Sequence, residues 1–495
     1  MWYKVKLVQM QTQATCTYKK CKTCCSYFLF TLVFFSQTKA QDTHYNTFQF
    51  GARSALMGGA VIGTVNDNSA VFYNPGALGF IDSSTLSINA NAYQIDKIRI
   101  YNALGKEKDF KSGHFGSVPL LIGGMISTGI KKLKVGYGMM SPVNFNFKAN
   151  ARLDEKLPIV DDTESPGDEE FIGQANINDK LNEFSVCLGA GYKLNDKWSV
   201  GLTNIVLVRS QVFERATYSR FFLNTPGYPL VSTSFVRNVE YTHIRTSFKA
   251  GVNYQDKNFG AGLTFTTPSI GITGNGIIAV DIIGNNILYN GSRTSLLAND
   301  RQEKIKSSYK SPFSVTAGMN WNMRRSSFGI AAQYYGGIAV YDILRAGPAV
   351  FVRPASLNSS LGSDDFLRFK TAAKSVFNFA VAYEYLFTPA IILNTSFRTN
   401  RSYYDKSLKN ITGIKADYTS WDIYHFTAGT TITRNRSKVS IGLLFSTGKD
   451  GTREQEDNFN KPKEANFLQG DTFITKATYS SIGFLLGYTL MIKKY

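Results

Sequence analysis

The sequence predicts an all-β fold: a transmembrane antiparallel β-barrel of about 14 strands, with an N-terminal plug (hatch) segment in its lumen. Three observations lead there. From residue 84 to the end, apolar residues recur at every second position in runs of about ten residues, the pattern of strands with one apolar face. Short polar turns alternate with long polar connections, as in barrels with tight periplasmic turns and long external loops. After residue 40 no stretch of 18 apolar residues exists, which excludes spanning helices. Composition agrees, with 36 Phe, 27 Tyr and 42 Gly against 18% charged residues and a mean hydropathy of −0.15. A helical membrane protein would be far more apolar, whereas a barrel turns only alternate residues to lipid.

Residues 1–40 read as a signal peptide. Lys4, Lys6, Lys19, Lys20 and Lys22 precede an apolar core from Tyr27 to Phe35. Thr38-Lys39-Ala40 before Gln41 is a small-x-small cleavage pattern, and Met10 is an alternative start. Four of the five cysteines (Cys16, Cys21, Cys24 and Cys25) fall in this leader. Their spacing imitates a zinc cluster, but export removes them, so neither metal nor cofactor is expected. Cys187 remains alone in the mature chain, within a strand, as a small inert side chain. The net charge is +19, with six lysines in the leader. The basic residues are dispersed along an exported chain, so the expected partners are outer-membrane lipid and lipopolysaccharide head groups, and not nucleic acid.

Residues 41–83 differ in character from the rest of the mature chain. Gly51 to Ala60 suits a short helix or packed turn of small residues, and Asn66-Asp67-Asn68-Ser69 and Asn74-Pro75-Gly76 are turn chemistry. A stretch so rich in small residues packs closely against something.

The barrel occupies residues 84–495. Phe184, Val186, Leu188, Ala190 and Tyr192 alternate with Ser185, Cys187, Gly189 and Gly191. The same rhythm marks Phe313 to Trp321, Phe377 to Tyr385, Tyr424 to Ile432 and Ile482 to Ile492. Strands are expected near 84–95, 117–130, 133–143, 182–194, 198–210, 242–254, 258–268, 310–322, 326–338, 374–386, 390–400, 421–433, 437–448 and 477–492. An even number puts both ends of the barrel in the periplasm, and closure pairs every backbone group, as lipid requires. The longer connections, of roughly twenty to forty residues, read as polar external loops.

The stretch Gly51-Ala52-Arg53-Ser54-Ala55-Leu56-Met57-Gly58-Gly59-Ala60, followed by Asp67, Ser69-Ala70, Asn74-Pro75 and Leu78, resembles the FadL/TodX-type family of outer-membrane hydrophobic-compound transporters. The resemblance implies a hatch plugging a fourteen-stranded barrel, a monomer, and diffusion of long-chain fatty acids or aromatic hydrocarbons. It covers the hatch closely and the barrel only as architecture. Gly76 stands where the family usually has Ala and would loosen the turn. Met57, Val61, Val71 and Phe72 are the expected ligand path or gate, with Asp67, Asn74 and Pro75 from the matched motif.

Other readings stay open. The apolar stretch Ile270 to Leu288 suits a capture surface or a strand pair extending the barrel. The acidic stretch Asp161 to Glu170 suits a calcium bridge or a solvated loop, though it lacks the order of a dedicated calcium site. No GxSxG, HExxH or P-loop accompanies His44, His114, His243 and His425, so no enzyme is expected. The alternative function is that of an accessory barrel in protein secretion or surface assembly.

Overall fold

In the computed structural model, the described residues are 43–45, 47–81, 83–126, 128–289, 291–353, 362–410, 412–414 and 419–494. The expected leader and its cleavage site lie outside them. Alternation of side chains builds the wall. Strands β1 (Ser83–Ile100), β2 (Phe110–Ile126), β3 (Leu133–Leu157), β4 (Glu169–Lys193), β5 (Trp198–Phe222), β6 (Leu230–Gln255) and β7 (Phe259–Thr266) are successive antiparallel neighbours. β8 (Ile270–Tyr289) and β9 (Ser292–Lys306) form a hairpin above the wall, with β8 continuing along the upper half of β6. The wall resumes in β10 (Ser314–Asn322), paired to β7, and β11 (Ser326–Tyr335). β12 (Ile338–Arg345) pairs with β14 (Arg368–Ala373), and the short β13 (Val352–Arg353) joins β9. β15 (Val376–Thr388), β16 (Ile391–Asn400), β17 (Asp422–Arg434), β18 (Ser437–Glu454) and β19 (Ile474–Lys494) complete the circuit. Closure comes from β19, which runs along β1 from Ser83↔Lys494 to Ile100↔Ala477. Fourteen strands thus form a closed antiparallel ring, the number the alternation predicts.

The strands are longer than the sequence predicts, and β4 shows why. Near its C-terminal end Phe184, Val186 and Leu188 face out while Ser185, Cys187 and Gly189 face in; Leu188 is 57% exposed and Cys187 fully buried. Toward the other end the arrangement inverts. Phe171, Ala175, Ile177 and Leu181 are buried inside, and Gln174, Asn176, Asn178 and Lys180 face out. The outer face meets lipid in one half and water in the other, so the apolar face switches sides. What reads as polar external loops is in large part strand, with its apolar face enclosed.

That enclosed face forms a second core above the lipid belt, from Phe147, Phe171, Phe213, Ile278, Phe351 and Phe459. Ile270 to Leu288 lies within β8, as a strand-pair extension, with Ile278, Val280 and Ile282 turned into this core. The segment between β18 and β19 tucks Phe467 and Leu468 into the same core. Arg215 holds that segment through Glu456 and Asp457, and Arg293 holds it through Glu464 at 2.8 Å.

One stretch of wall is unpaired. β2 and β3 pair from Ile126↔Val135 to Leu121↔Met140, and the ladder stops there. Continuing that register would set Pro119 opposite Pro142. Neither residue carries an N–H, so neither can donate across the pair. Beyond them, among the described residues, β2 pairs only with β1, and β3 only with β4. Across the slot, among the described residues, the Lys148 amide donates to Ser112 Oγ at 3.0 Å.

Candidate functional site

Residues 43–45 and 47–81 lie inside the ring. The short helix Ala52–Leu56 contacts β1 and β16 to β19, while the 3₁₀ turn Pro75–Phe80 contacts β3 to β6 on the other side. The wall admits this plug because its inward positions are often glycine. A Cβ on Gly201 would lie 2.2 Å from the Pro75 carbonyl oxygen, one on Gly262 2.3 Å from that of Ile62, and one on Gly329 2.2 Å from that of Ala60. These glycines are sockets set by close approach, a role the composition alone does not separate from turns.

Polar side chains of the wall then satisfy the plug's backbone, as burial requires. Asn320 Nδ2 donates to the Ala60 carbonyl at 3.0 Å, Ser396 Oγ to Leu56 at 2.9 Å and Thr203 Oγ1 to Val71 at 2.9 Å. In the plug, Arg53 meets Glu384 of β15 with both Nε, at 2.8 Å, and Nη2, and Arg53 Nη1 donates to the Thr64 carbonyl at 3.1 Å. Asn68 Nδ2 donates to the carbonyls of Thr85 and Gly123 at 3.1 and 2.8 Å, fastening the plug where β1 and β2 meet.

The expected site residues fall into three places. Met57, Val61 and Val71 are fully buried in the apolar packing of plug against wall. Asp67 accepts from the Ser69 amide at 2.9 Å and from its hydroxyl, which fixes the turn leading into helix Ala70–Tyr73. Asn74 caps the next turn: its Oδ1 accepts from Gly76 N at 3.0 Å, and its Nδ2 donates to the carbonyls of Ile62 and Val252 and to Asn253 Oδ1. Pro75 opens that turn as its first residue, where a missing N–H costs nothing. Gly76 does not loosen it. The chain there presses on β6, and a Cβ at Gly76 would sit 3.0 Å from the Gly251 oxygen.

Phe72 stands apart because it lines two cavities, one of about 100 Å³ toward the outer core and one of about 60 Å³ beside β10, β11, β15 and β16. Its ring meets Phe50 edge-on at 4.8 Å, and Lys249 of β6 lies 4.4 Å above it while donating to the Phe72 carbonyl. The ring and the lysine together partition the two spaces.

The larger cavity combines apolar and cationic walls. Phe72, Pro142, Val143, Ile205 and Leu207 line it beside Arg209, Arg245 and Lys249, with Glu183 as its acid. Glu183 Oε2 accepts from Arg209 at 3.3 Å and from Arg245 Nη2 at 2.6 Å, so one carboxylate stands against three buried cations. Arg245 Nη1 and the Tyr45 hydroxyl are buried and have no hydrogen-bond partner among the described residues. Tyr45 is held by stacking on Tyr335 and Tyr403 at 4.2 and 4.4 Å, and burial pushes its hydroxyl far above the usual tyrosine range, which keeps it a neutral donor. Pro142 and Val143 border both this cavity and the slot in the wall. None of these wall cations is singled out by the sequence. A charged residue at an inward position of a strand is the only sign of them.

The remaining candidates are accounted for locally. In the acidic loop, Asp161 accepts from the Thr163 amide and hydroxyl at 2.9 and 2.6 Å, and the hydroxyl bond above all holds its carboxyl below the usual range. Asp162 accepts from Gly167 N, and Glu164 pairs with Arg293. His425 Nδ1 lies 2.7 Å from Ser446 Oγ. His243 sits in the interior of β6, not near its start, because β6 begins well above the membrane. Cys187 is buried against the plug.

No family model matches the chain, and no curated protein matches it by sequence. Its fold is similar to that of solved structures. A FadL homologue of Pseudomonas aeruginosa aligns at 12% identity and a TM-score of 0.56, over 91% of this chain and 100% of that one. The toluene transporter TodX of Pseudomonas putida aligns at 12% identity and 0.53, over 92% and 100%. The toluene transporter TbuX of Ralstonia pickettii aligns at 13% identity and 0.51, over 91% and 100%. At such identities the likeness establishes the fold, a closed 14-strand barrel of the bacterial outer membrane. No helix among the described residues is long and apolar enough to cross a membrane, and the outward belt of apolar side chains does so on strands.

Proposed function

We propose that this barrel carries apolar small molecules across the outer membrane by diffusion, and that its preferred ligand joins an apolar body to a carboxylate. The observation that carries the reading is the cavity above the plug, where apolar walls meet an excess of buried cations and a guanidinium N–H that no described residue accepts from. An anionic head group would supply the missing acceptor, and a charge-assisted bond there is stronger than a neutral one. A purely neutral hydrocarbon would leave these groups unmatched. Two structural relatives are described as toluene transporters, which supports an apolar ligand and leaves the head group to this chain's own residues.

The route comes from the same geometry. A ligand passing the outer core would settle with its head at Arg245 and Tyr45 and its body along Phe72, Ile205 and Leu207. The slot beyond Pro119 and Pro142 opens beside this cavity, so the apolar body can leave sideways into lipid while the plug stays in place. Apolar solutes avoid water by that exit, since they pass from one apolar surface to another. Met57, Val61 and Val71 then act by holding the plug, and Phe72 as the movable partition.

The test is uptake in Gram-negative cells whose own fatty-acid channel has been deleted. Expression of this chain should restore uptake of a labelled long-chain fatty acid, and Arg245→Gln/Lys249→Met should reduce it about tenfold or more. Equal uptake with and without the chain would refute the proposal.

A further inference from the structure

A cavity of about 530 Å³, larger than those in the lumen, opens on a different face of the barrel, where β17 and β18 leave the lipid belt. Register fixes its position. Going up the paired strands, Phe426 lies across from Phe445, Tyr424 from Thr447 and Asp422 from Lys449. These residues face outward, because Ile423, His425, Ser446 and Gly448 between them are buried on the inside. The wall therefore passes in three cross-strand pairs from apolar, through a tyrosine of the aromatic girdle, to charged. Tyr424 to Ile432 is a run of nine residues, about the length with which a tilted strand crosses the hydrocarbon core. The cavity thus sits at head-group depth, at the end of the barrel opposite the short turns.

Its lining carries four basic side chains, Lys374, Lys406, Lys449 and Arg453, beside three acids, Asp422, Asp450 and Glu454. Lys374, Lys406 and Lys449 are exposed. Among the described residues none of the three has an ion pair or side-chain hydrogen bond. Two of the acids are fixed by neutral donors, which turns their lone pairs toward the backbone: Asp422 accepts from the Ser402 amide at 3.0 Å, and Asp450 accepts from the Ser420 hydroxyl and from the Thr452 amide. Arg453 is turned away onto Glu456 at 2.8 Å. Tyr424 and Thr447 add an aromatic face and a hydroxyl, and the volume lies within the range of small-molecule sites.

We infer that this outward cavity binds the phosphorylated saccharide head group of an outer-leaflet glycolipid, with Lys374, Lys406 and Lys449 meeting its phosphates. The inference rests on the placement of the barrel in the outer membrane and is independent of what the lumen carries. A phosphate on a sugar is chosen over a bare phosphate because the site is larger than an ion needs and offers a ring face and hydroxyls beside the cations. It is chosen over a phospholipid because the cavity lies at the external end of the wall.

Binding is read on the purified full chain in detergent by titration with purified lipopolysaccharide, in parallel with phosphatidylglycerol and with inorganic phosphate. Each lysine near an anionic surface is worth about a fivefold change in affinity, so Lys374→Gln/Lys406→Gln/Lys449→Gln should weaken lipopolysaccharide binding about 100-fold. The rim control Arg434→Gln/Arg436→Gln/Lys438→Gln, at the short-turn end, should bind as the unaltered chain does. Millimolar inorganic phosphate should not displace lipopolysaccharide, and phosphatidylglycerol should bind more weakly. If the triple variant does not fold, Lys449→Gln alone should weaken binding about fivefold. Undiminished binding by these variants, or equal binding of phosphatidylglycerol, or displacement by inorganic phosphate, would overturn the inference. Fatty-acid uptake should be unchanged in the lysine variants, so failure here is separable from failure of the transport reading.

Discussion

Glu384→Ala removes the wall's half of the Arg53 ion pair and tests whether the plug is held by it. Both guanidinium contacts to Glu384 disappear, while the bond from Arg53 Nη1 to the Thr64 carbonyl remains. Breaking a buried pair by deleting one partner typically costs about 3–5 kcal/mol, because the other charge stays buried. The surviving carbonyl bond argues for the lower end, about 3 kcal/mol, which raises the population of released plug about 100-fold at roughly 1.4 kcal/mol per decade. Amide exchange reads this directly. The amides of Ala55 and Met57, which donate to the Gly51 and Arg53 carbonyls at 3.0 Å, should exchange about 100-fold faster, and ion leakage through planar bilayers should rise. Arg53→Leu/Glu384→Leu removes both charges together, and should restore most of the protection. Wild-type exchange and conductance in Glu384→Ala would refute the claim that this pair fastens the plug.

The same geometry makes three further outcomes testable. Phe72→Ala should join the two cavities into a space similar to the roughly 150 Å³ that accepts a benzene-sized molecule, and raise fatty-acid uptake several-fold; unchanged uptake would remove Phe72 from the path. Gly201→Val should drive a side chain into the Pro75 carbonyl and cost about 1–3 kcal/mol of local plug stability, whereas Gly113→Ala, with nothing within 4 Å of its Cβ, should leave plug exchange unaltered. Pro119→Val/Pro142→Val returns two N–H groups to the facing strands, should extend the β2–β3 ladder across the slot, and should slow uptake of fatty acid; faster or equal uptake would exclude the sideways exit.

The sequence carries much of the wall and little of the site. Alternation identifies fourteen strands because the lipid-facing half of each strand keeps one phase, as in Phe184, Val186 and Leu188. It loses the upper halves because the phase reverses on the same strand, as at Phe171, Ala175 and Ile177, and a pattern that inverts reads as a loop. The two prolines that end the β2–β3 ladder are visible in the sequence, but their opposition appears only once the register is known. The plug's turns at Asp67 and Asn74 are legible from local chemistry, because their side chains bond to neighbours two residues away. Glu384, Arg245 and Lys249 are not, since each takes its meaning from a partner more than sixty residues distant in sequence. The glycine sockets are hidden for a related reason: each is set by a carbonyl of the plug and not by its own turn.

Native mass spectrometry of the barrel, gently extracted from membranes, tests most directly whether the lumen holds such a ligand. The expected result is a retained molecule with an apolar body and a carboxylate, lost from Arg245→Gln/Lys249→Met. A barrel that is empty, or that retains the same ligand after both cations are removed, would contradict the transport reading.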